Sequence, residues 1–140
     1  MKKLFVLPFL LLLAACGGDD HLDNPTPNPA DRPDNVKFVV AQDGTGDFTT
    51  VQQAIDAIPS NSKSRQIIYI KAGSYKEKLS VPQSKTFVTL IGENAASTIL
   101  TYDDSSGTKL PSGKEMGTQN SASLTISATD FQAQNLTLSN

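Results

Sequence analysis

The chain has 140 residues, enough for one modest domain, and 38% of them are hydrophobic. Its formal net charge of −2 gives no indication of the basic character by which proteins bind nucleic acids, so we expect no nucleic-acid partner. A single cysteine excludes an internal disulfide, and the one histidine, His21, has no second ligand at a metal-binding spacing. We therefore expect no metal site and no cofactor.

Residues 1–15 have the pattern of a secretory signal peptide. Two lysines form the charged start, and the apolar run from Leu4 to Leu13 is too short to span a bilayer comfortably. Small residues stand directly before Cys16, as in a bacterial lipobox, where the cysteine is lipidated after cleavage. The sequence thus predicts a protein of the cell envelope, at the outer membrane, anchored by a lipid on Cys16. An ordinary cleavage site beside a cysteine is the alternative.

Residues 16–35 are rich in Pro, Asp and Asn, and they cannot bury enough apolar surface to fold. We predict a disordered tether there and a folded domain over residues 36–140. That domain opens with an apolar, β-branched strand from Val36 to Val40, and a glycine-rich turn follows at residues 42–47. The turn lacks the lysine of a phosphate loop and the glycine spacing of a dinucleotide site, so it is interpreted as a tight turn.

A short amphipathic helix is predicted from Thr49 to Ile58. Its apolar residues recur at i, i+3, i+4 and i+7, which places them on one face. Thr49 and Gln52 have the spacing of a capping box, and Pro59 ends the helix.

Six strand signals follow, each a short β-branched run that ends near Gly, Asn or Asp. They lie at residues 66–71, 77–81, 86–92, 98–102, 122–127 and 135–138, with a polar loop at 103–119. Ile70 and Leu90 stand 20 residues apart, as do Leu79 and Ile99, and a period of this size is typical of a solenoid.

This period favours a parallel β-helix, in which each coil repeats the same turns and stacks on the one before. An antiparallel sandwich is the alternative, but no Asn-Gly or Asp-Gly pair stands between neighbouring strands. The predicted helix is expected to cap the first coil through Val51, Ile55 and Ile58. No such cap follows the last strand, so we expect the stack to be incomplete at its C-terminal end and the chain to be the front part of a longer protein.

Several of these stretches resemble the pectin methylesterases, also called pectinesterases. The matching motifs lie at Ala41 to Ile55, Gly73 to Glu77, Val88 to Glu93, 117–124 and 130–137. The resemblance covers about residues 36–140. It implies a right-handed parallel β-helix and a carbohydrate esterase that hydrolyses methyl esters of polygalacturonate with two aspartates.

The resemblance also assigns roles to particular positions. It places the catalytic blocks after Asn140, so we expect no catalytic residue within this chain. Asp43, Asp47 and Asp130 correspond to turns, where carboxylates satisfy backbone N–H groups. Thr118 corresponds to a threonine that contacts the sugar chain, and it is the one expected substrate-binding residue. A plain loop hydroxyl is the alternative for Thr118.

Two further pairs of residues are given structural roles. Tyr75 and Glu77 are interpreted as structural, because a glutamate after a tight turn can accept backbone hydrogen bonds inside the stack. Asp103 and Asp104 lie in the polar loop, and both are expected to be solvated.

Three functions agree with these features. The first is the N-terminal part of a lipid-anchored pectinesterase that acts on pectin, is monomeric at full length and is inactive as this 140-residue piece. The second is a non-catalytic β-helix that binds polysaccharide at the envelope. The third is a member of the same family that acts on another ester or on a thioester.

Overall fold

The computed structural model describes residues 35–140. The signal peptide, Cys16 and almost all of the tether lie outside the described residues, so those assignments stay sequence predictions. The elements in chain order are β1 (Val36–Val40), α1 (Val51–Ala57), β2 (Gln66–Ile70), β3 (Gly73–Lys76), β4 (Leu79–Val81), β5 (Val88–Gly92), β6 (Thr98–Thr101), β7 (Leu124–Ile126), β8 (Gln132–Gln134) and β9 (Thr137–Ser139).

The strands lie in three parallel sheets. Their orders are β1-β2-β5-β8, β3-β6-β9 and β4-β7, and every strand pair within them is parallel. The chain passes from one sheet to the next and returns to the first sheet at β5 and again at β8, so each circuit adds one coil. The described residues therefore form a parallel β-helix, which confirms the predicted architecture and excludes the antiparallel sandwich.

The strand registers correct the predicted 20-residue period. Ile70 pairs with Gly92 and not with Leu90. The second predicted pair is also wrong, because Leu79 lies in the third sheet and pairs with Leu124. The turns between strands differ in length from coil to coil, so one constant period cannot describe the stack.

Two strands, β3 and β8, occur where the sequence predicts none. Their residues include Gly, Ser and Gln, which are not typical of strands. They become strands because the neighbouring coil supplies a hydrogen-bonding partner: Tyr75 pairs with Leu100, and Ala133 pairs with Leu90. Strand preference depends on context, and here the stacked coil decides it.

Helix α1 closes the first coil. Val51, Ala54, Ile55 and Ile58 are fully buried, and they belong to the same apolar cluster as the inward-facing residues of the strands. The helix contacts β1, β2 and β4, so its apolar face lies across the end of the stack. This confirms the predicted cap. Within residues 35–140, no helix has the length and the apolar character needed to cross a membrane.

The N-cap of α1 is Thr50 and not the predicted Thr49. The Thr50 hydroxyl accepts a hydrogen bond from the backbone N–H of Gln53 at 3.4 Å. The side chain of Gln52 bonds to the carbonyl oxygen and the N–H of Ser80, at 3.1 and 2.8 Å. The predicted capping box is wrong because the coil below offers Gln52 two backbone partners that the local sequence does not reveal.

Charged side chains hold both ends of α1. Glu77 accepts hydrogen bonds from the N–H groups of Val51 and Gln52 at 2.9 and 3.0 Å. At the other end, Lys85 Nζ donates to two carbonyl oxygens of the C-terminal turn at 2.8 and 2.5 Å. An anion at the N-terminus and a cation at the C-terminus both complement the helix dipole and bond groups that lack partners inside the helix.

Candidate substrate-binding site

The polar loop leaves the stack between β6 and β7 and is folded on itself. We call residues 103–120 the ribbon loop, because Lys109 and Glu115 form an antiparallel bridge within it. Further backbone hydrogen bonds join Leu110 to Lys114, Met116 to Thr108 and Gly117 to Ser106 at 2.8 to 3.0 Å. The loop is thus an ordered excursion from one coil, and its two arms run antiparallel to each other.

Thr118 lies in a tight turn at the end of the ribbon loop. The turn runs from Gly117 to Asn120 and is closed by a hydrogen bond from the Asn120 N–H to the Gly117 carbonyl at 3.2 Å. Gly117 has φ +75°, a conformation that residues with a side chain rarely adopt. The buried hydroxyl of Ser121 donates to the Thr118 carbonyl at 3.1 Å, whereas Thr118 itself is exposed. The Thr118 hydroxyl is therefore accessible to a ligand, and its contact with a sugar stays a prediction.

Lys78 joins the two ends of the ribbon loop. Its Nζ lies 2.6 Å from Asp104 Oδ2 and donates to the Asn120 carbonyl at 2.5 Å. The Asp104 side chain is 20% exposed, so Asp104 is only partly solvated and is less open to water than the sequence predicts. Asp103 is 70% exposed and forms an ion pair with Lys76, which agrees with the solvated position predicted for it.

Ser123, directly before β7, and Asn140, directly after β9, lie close to the entry of the ribbon loop. The Ser123 hydroxyl donates to Asn140 Oδ1 at 2.5 Å, and Asn140 Nδ2 donates to the Asp104 carbonyl at 3.3 Å. Stacking thus brings together segments that are far apart in the chain: the end of β3, both ends of the ribbon loop and the residues after β9. Sequence reasoning singled out only Thr118 here. The signal for Lys78, Asp104 and Asn140 is that each follows a strand of the β3-β6-β9 sheet.

The carboxylates of Asp43 and Asp47, in the turn before α1, accept hydrogen bonds from backbone N–H groups. Asp43 Oδ1 accepts hydrogen bonds from the hydroxyl and the N–H of Thr45 at 2.6 and 2.9 Å, and these bonds lower the pKa of the Asp43 carboxyl. Asp47 Oδ2 accepts from the Val39 N–H at 2.7 Å. A Cβ at Gly46 would lie 2.6 Å from the Val39 carbonyl oxygen, so this close turn needs glycine. The structural roles predicted for both aspartates are confirmed.

Asp130 makes its contact differently. It has φ +58°, and its backbone carbonyl oxygen accepts a hydrogen bond from the Arg65 guanidinium at 2.5 Å. The same guanidinium lies 5.7 Å from the ring centroid of Phe87. Asp130 is a turn residue, as predicted, and the contact with Arg65 is made by its carbonyl group, whereas a bond from a backbone N–H to its carboxylate stays a prediction.

Comparison with known proteins identifies the family of this β-helix. The family model described as Pectinesterase matches residues 37–140. The chain belongs to the pectinesterase family. Probable pectinesterase 56 of Arabidopsis thaliana is 36% identical over 142 residues, which cover 99% of this chain and 47% of that protein.

Solved structures agree with this assignment and with the fold. A pectin methylesterase in complex with hexasaccharide VII superposes with a TM-score of 0.65 at 34% identity, over 72% of this chain and 29% of that one. Pectin methylesterase from carrot superposes with a TM-score of 0.63 at 34% identity, over 75% of this chain and 31% of that one. The pectinesterase chain is thus a right-handed parallel β-helix that spans less than half the length of these relatives.

Two residues of the family's Gly-x-Tyr-x-Glu motif stabilise the pectinesterase stack. The hydroxyl of Tyr75 donates to the Lys71 carbonyl at 3.0 Å, and burial raises the pKa of Tyr75 to about 12, with the charges of Asp43 and Glu77 acting in the same direction. Tyr75 is therefore neutral at ordinary pH and gives no acid–base chemistry. Glu77 holds the N-terminus of α1, as described above. The structural roles predicted for both residues are confirmed.

Two further kinds of site can be considered in the described part of the pectinesterase chain: a metal site and a surface groove. Within residues 35–140, no three side chains of His, Cys, Asp or Glu lie together as a metal ion requires. An open groove of about 590 Å³ lies beside the β4–β5 connection. It is lined by Asn61, Pro82, Gln83, Ser84, Thr86 and Thr129. None of these side chains titrates near neutral pH, so the groove offers no acid or base for ester hydrolysis.

Proposed function

We propose that this chain is part of a pectinesterase that hydrolyses the methyl esters of polygalacturonate to free carboxylates and methanol. Membership of the pectinesterase family over residues 37–140 is the observation that carries this proposal. The complex of a related pectin methylesterase with a hexasaccharide supports a saccharide ligand. The exposed Thr118 hydroxyl, at the edge of the stack, is the contact that we assign to that ligand.

The proposed reaction needs two carboxyl groups in different environments. One must be ionised to attack the ester carbonyl, and the other must give and take a proton, so their pKa values have to be pushed apart. Asp43, Asp47 and Asp104 are each committed to a turn or an ion pair. As the resemblance to the family implies, we assign the two reacting aspartates to family blocks that follow Asn140, and we assign substrate binding to the turn that carries Thr118.

The proposed location is the outer membrane, with a lipid on Cys16 as the anchor. The sequence around Cys16 supports it, since a charged start, an apolar run and small residues precede the cysteine. The residues from 17 to 35 would then hold the β-helix away from the membrane surface. We propose that the full-length enzyme acts there as a monomer.

Methanol release from methyl-esterified pectin tests the reaction. We expect methanol from the protein expressed from its complete reading frame, which we call the complete protein, and none from the 140-residue chain. Methanol from the 140-residue chain would contradict our assignment of the reacting aspartates.

Two other results would favour the alternative functions. A complete protein that binds pectin but releases no methanol is a polysaccharide-binding module. A complete protein that cleaves acyl thioesters and leaves pectin intact is a family member with another substrate.

A further inference from the structure

We propose that Lys78 is a positioning residue that closes the base of the ribbon loop and fixes the turn that carries Thr118. The part of this inference that concerns saccharide binding rests on the proposed function. Lys78 follows β3 in one coil, whereas Thr118 leaves the ribbon loop of the next coil. The inference therefore concerns a contact between coils that the local sequence does not display.

The ammonium group of Lys78 connects the entry and the exit of the ribbon loop. It lies 2.6 Å from Asp104 Oδ2 at the entry and donates at 2.5 Å to the Asn120 carbonyl at the exit. The ring centroid of Tyr102 lies 5.7 Å from the same Nζ, within the range of a cation–π contact. The Lys78 side chain thus connects both ends of the ribbon loop to the preceding coil.

The contact at Asn120 is transmitted to Thr118 through a short turn. The Asn120 N–H bonds the Gly117 carbonyl at 3.2 Å, and the Asn120 side chain bonds the Met116 carbonyl at 3.0 Å. Ser121, which is 5% exposed, bonds the Thr118 carbonyl from the side of the core. The backbone on both sides of the Thr118 hydroxyl is therefore held, and Lys78 supplies a charged contact to it at Asn120.

A direct role for Lys78 in binding a galacturonate carboxylate agrees less well with these contacts. The neighbouring Asp104 carboxylate neutralises the Lys78 charge, and two of the three Nζ donors are directed at protein acceptors. A substrate carboxylate would have to compete with Asp104 at the same group. The geometry thus favours a role for Lys78 in holding the loop.

Lys76 provides a matched control. It pairs with Asp103 in the same two coils, but the two side chains are 61% and 70% exposed, against 43% and 20% for Lys78 and Asp104. An ion pair that is open to water is screened and contributes little. The ion pair of Lys76 also involves no residue of the Thr118 turn. Removing Lys76 therefore removes an equal charge and leaves that turn in place.

The test compares Lys78→Met, Lys78→Arg and Lys76→Met in the complete protein. The two readouts are amide hydrogen exchange over residues 117–121 and the dissociation constant for hexagalacturonate. Loss of a charge-assisted hydrogen bond should speed exchange in Lys78→Met roughly tenfold. The dissociation constant and the KM for pectin should rise roughly fivefold or more at nearly constant kcat, because only the binding geometry changes.

The other two variants complete the test. Lys76→Met should stay within about twofold of the wild type in both readouts. Lys78→Arg should recover part of the lost affinity, because a guanidinium can reach both acceptors. If Lys78→Met does not fold, Asp104→Asn removes the same ion pair from the other side, and it should show the same two changes to a smaller extent because the bond from Lys78 to the Asn120 carbonyl remains.

The possible results separate this inference from the proposed function. Unchanged exchange in Lys78→Met would show that Lys78 does not close the loop. Faster exchange with an unchanged dissociation constant would show that the loop is held but that its position does not matter for the saccharide. A wild-type protein with no affinity for hexagalacturonate would overturn the proposed function and the positioning role together, while the exchange data would still decide whether Lys78 holds the loop.

Discussion

At the scale of single residues, Tyr75 shows how a polar group is accommodated in an apolar stack. Its side chain is 1% exposed, and its hydroxyl donates to the Lys71 carbonyl at 3.0 Å. Burial raises the pKa of Tyr75 from 10.0 to about 12. The folded chain therefore holds the phenol proton more tightly than the unfolded chain, and this stabilisation is complete below pH 10 and is lost as the pH rises towards 12.

Tyr75→Phe should change the response to alkali. We expect the free energy of unfolding of the wild type to fall more steeply than that of the variant between pH 10 and pH 12. At pH 7 the variant should be less stable by about 1 kcal/mol, because the hydrogen bond to Lys71 is lost. Chemical denaturation at pH 7 and between pH 10 and pH 12 measures the two effects. Parallel pH dependence of the two proteins would contradict the burial of the phenol.

At the scale of elements, α1 depends on the coils below it. A helix of seven residues is too short to persist alone, so packing and end contacts must supply its stability. Its apolar face seals the first coil, Glu77 holds its N-terminus and Lys85 holds its C-terminus. The cap and the second coil thus stabilise each other.

Glu77→Ala tests this dependence. The variant leaves two N–H groups of the first turn without their acceptor, so we expect a loss of about 2 to 3 kcal/mol in the free energy of unfolding. Glu115→Ala is the control, since it removes an exposed glutamate from the ribbon loop and should change stability by less than about 0.5 kcal/mol. Equal denaturation midpoints for the two variants would show that Glu77 does not stabilise the helix.

At the scale of the whole molecule, a β-helix is combined with a predicted anchor. The described stack extends over residues 35–140, and the proposed lipid lies on Cys16. Such an anchor acts at a distance from the fold, through the intervening Pro-rich and Asp-rich segment. It should therefore determine where the protein is found without changing the stability of the β-helix.

Cys16→Ser should release the protein from the membrane. Without the thiol no lipid can be attached, so we expect the variant in the soluble fraction after cell disruption and the wild type in the membrane fraction. His21→Ser, a substitution in the same segment that keeps the cysteine, should stay with the membrane. If Cys16→Ser also stays with the membrane, the lipid anchor is wrong.

The class of fold and the family follow from local patterns in the sequence. Short β-branched runs that end near Gly, Asn or Asp located seven of the nine strands, and the i, i+3, i+4, i+7 pattern located α1. The motifs around Ala41 to Ile55 and Gly73 to Glu77 led to the pectinesterase family. These signals are carried by residues close together in the chain.

Which coils and side chains meet depends on the three-dimensional stack. The register of Ile70 with Gly92, the bond of Gln52 to Ser80, and the contact of Lys78 with Asp104 all join residues of different coils. Turns of unequal length remove the constant period from which such pairs could be read. A polar side chain forms hydrogen bonds with the groups that stacking places near it. Those partners depend on the strand registers between coils, which local sequence patterns do not specify.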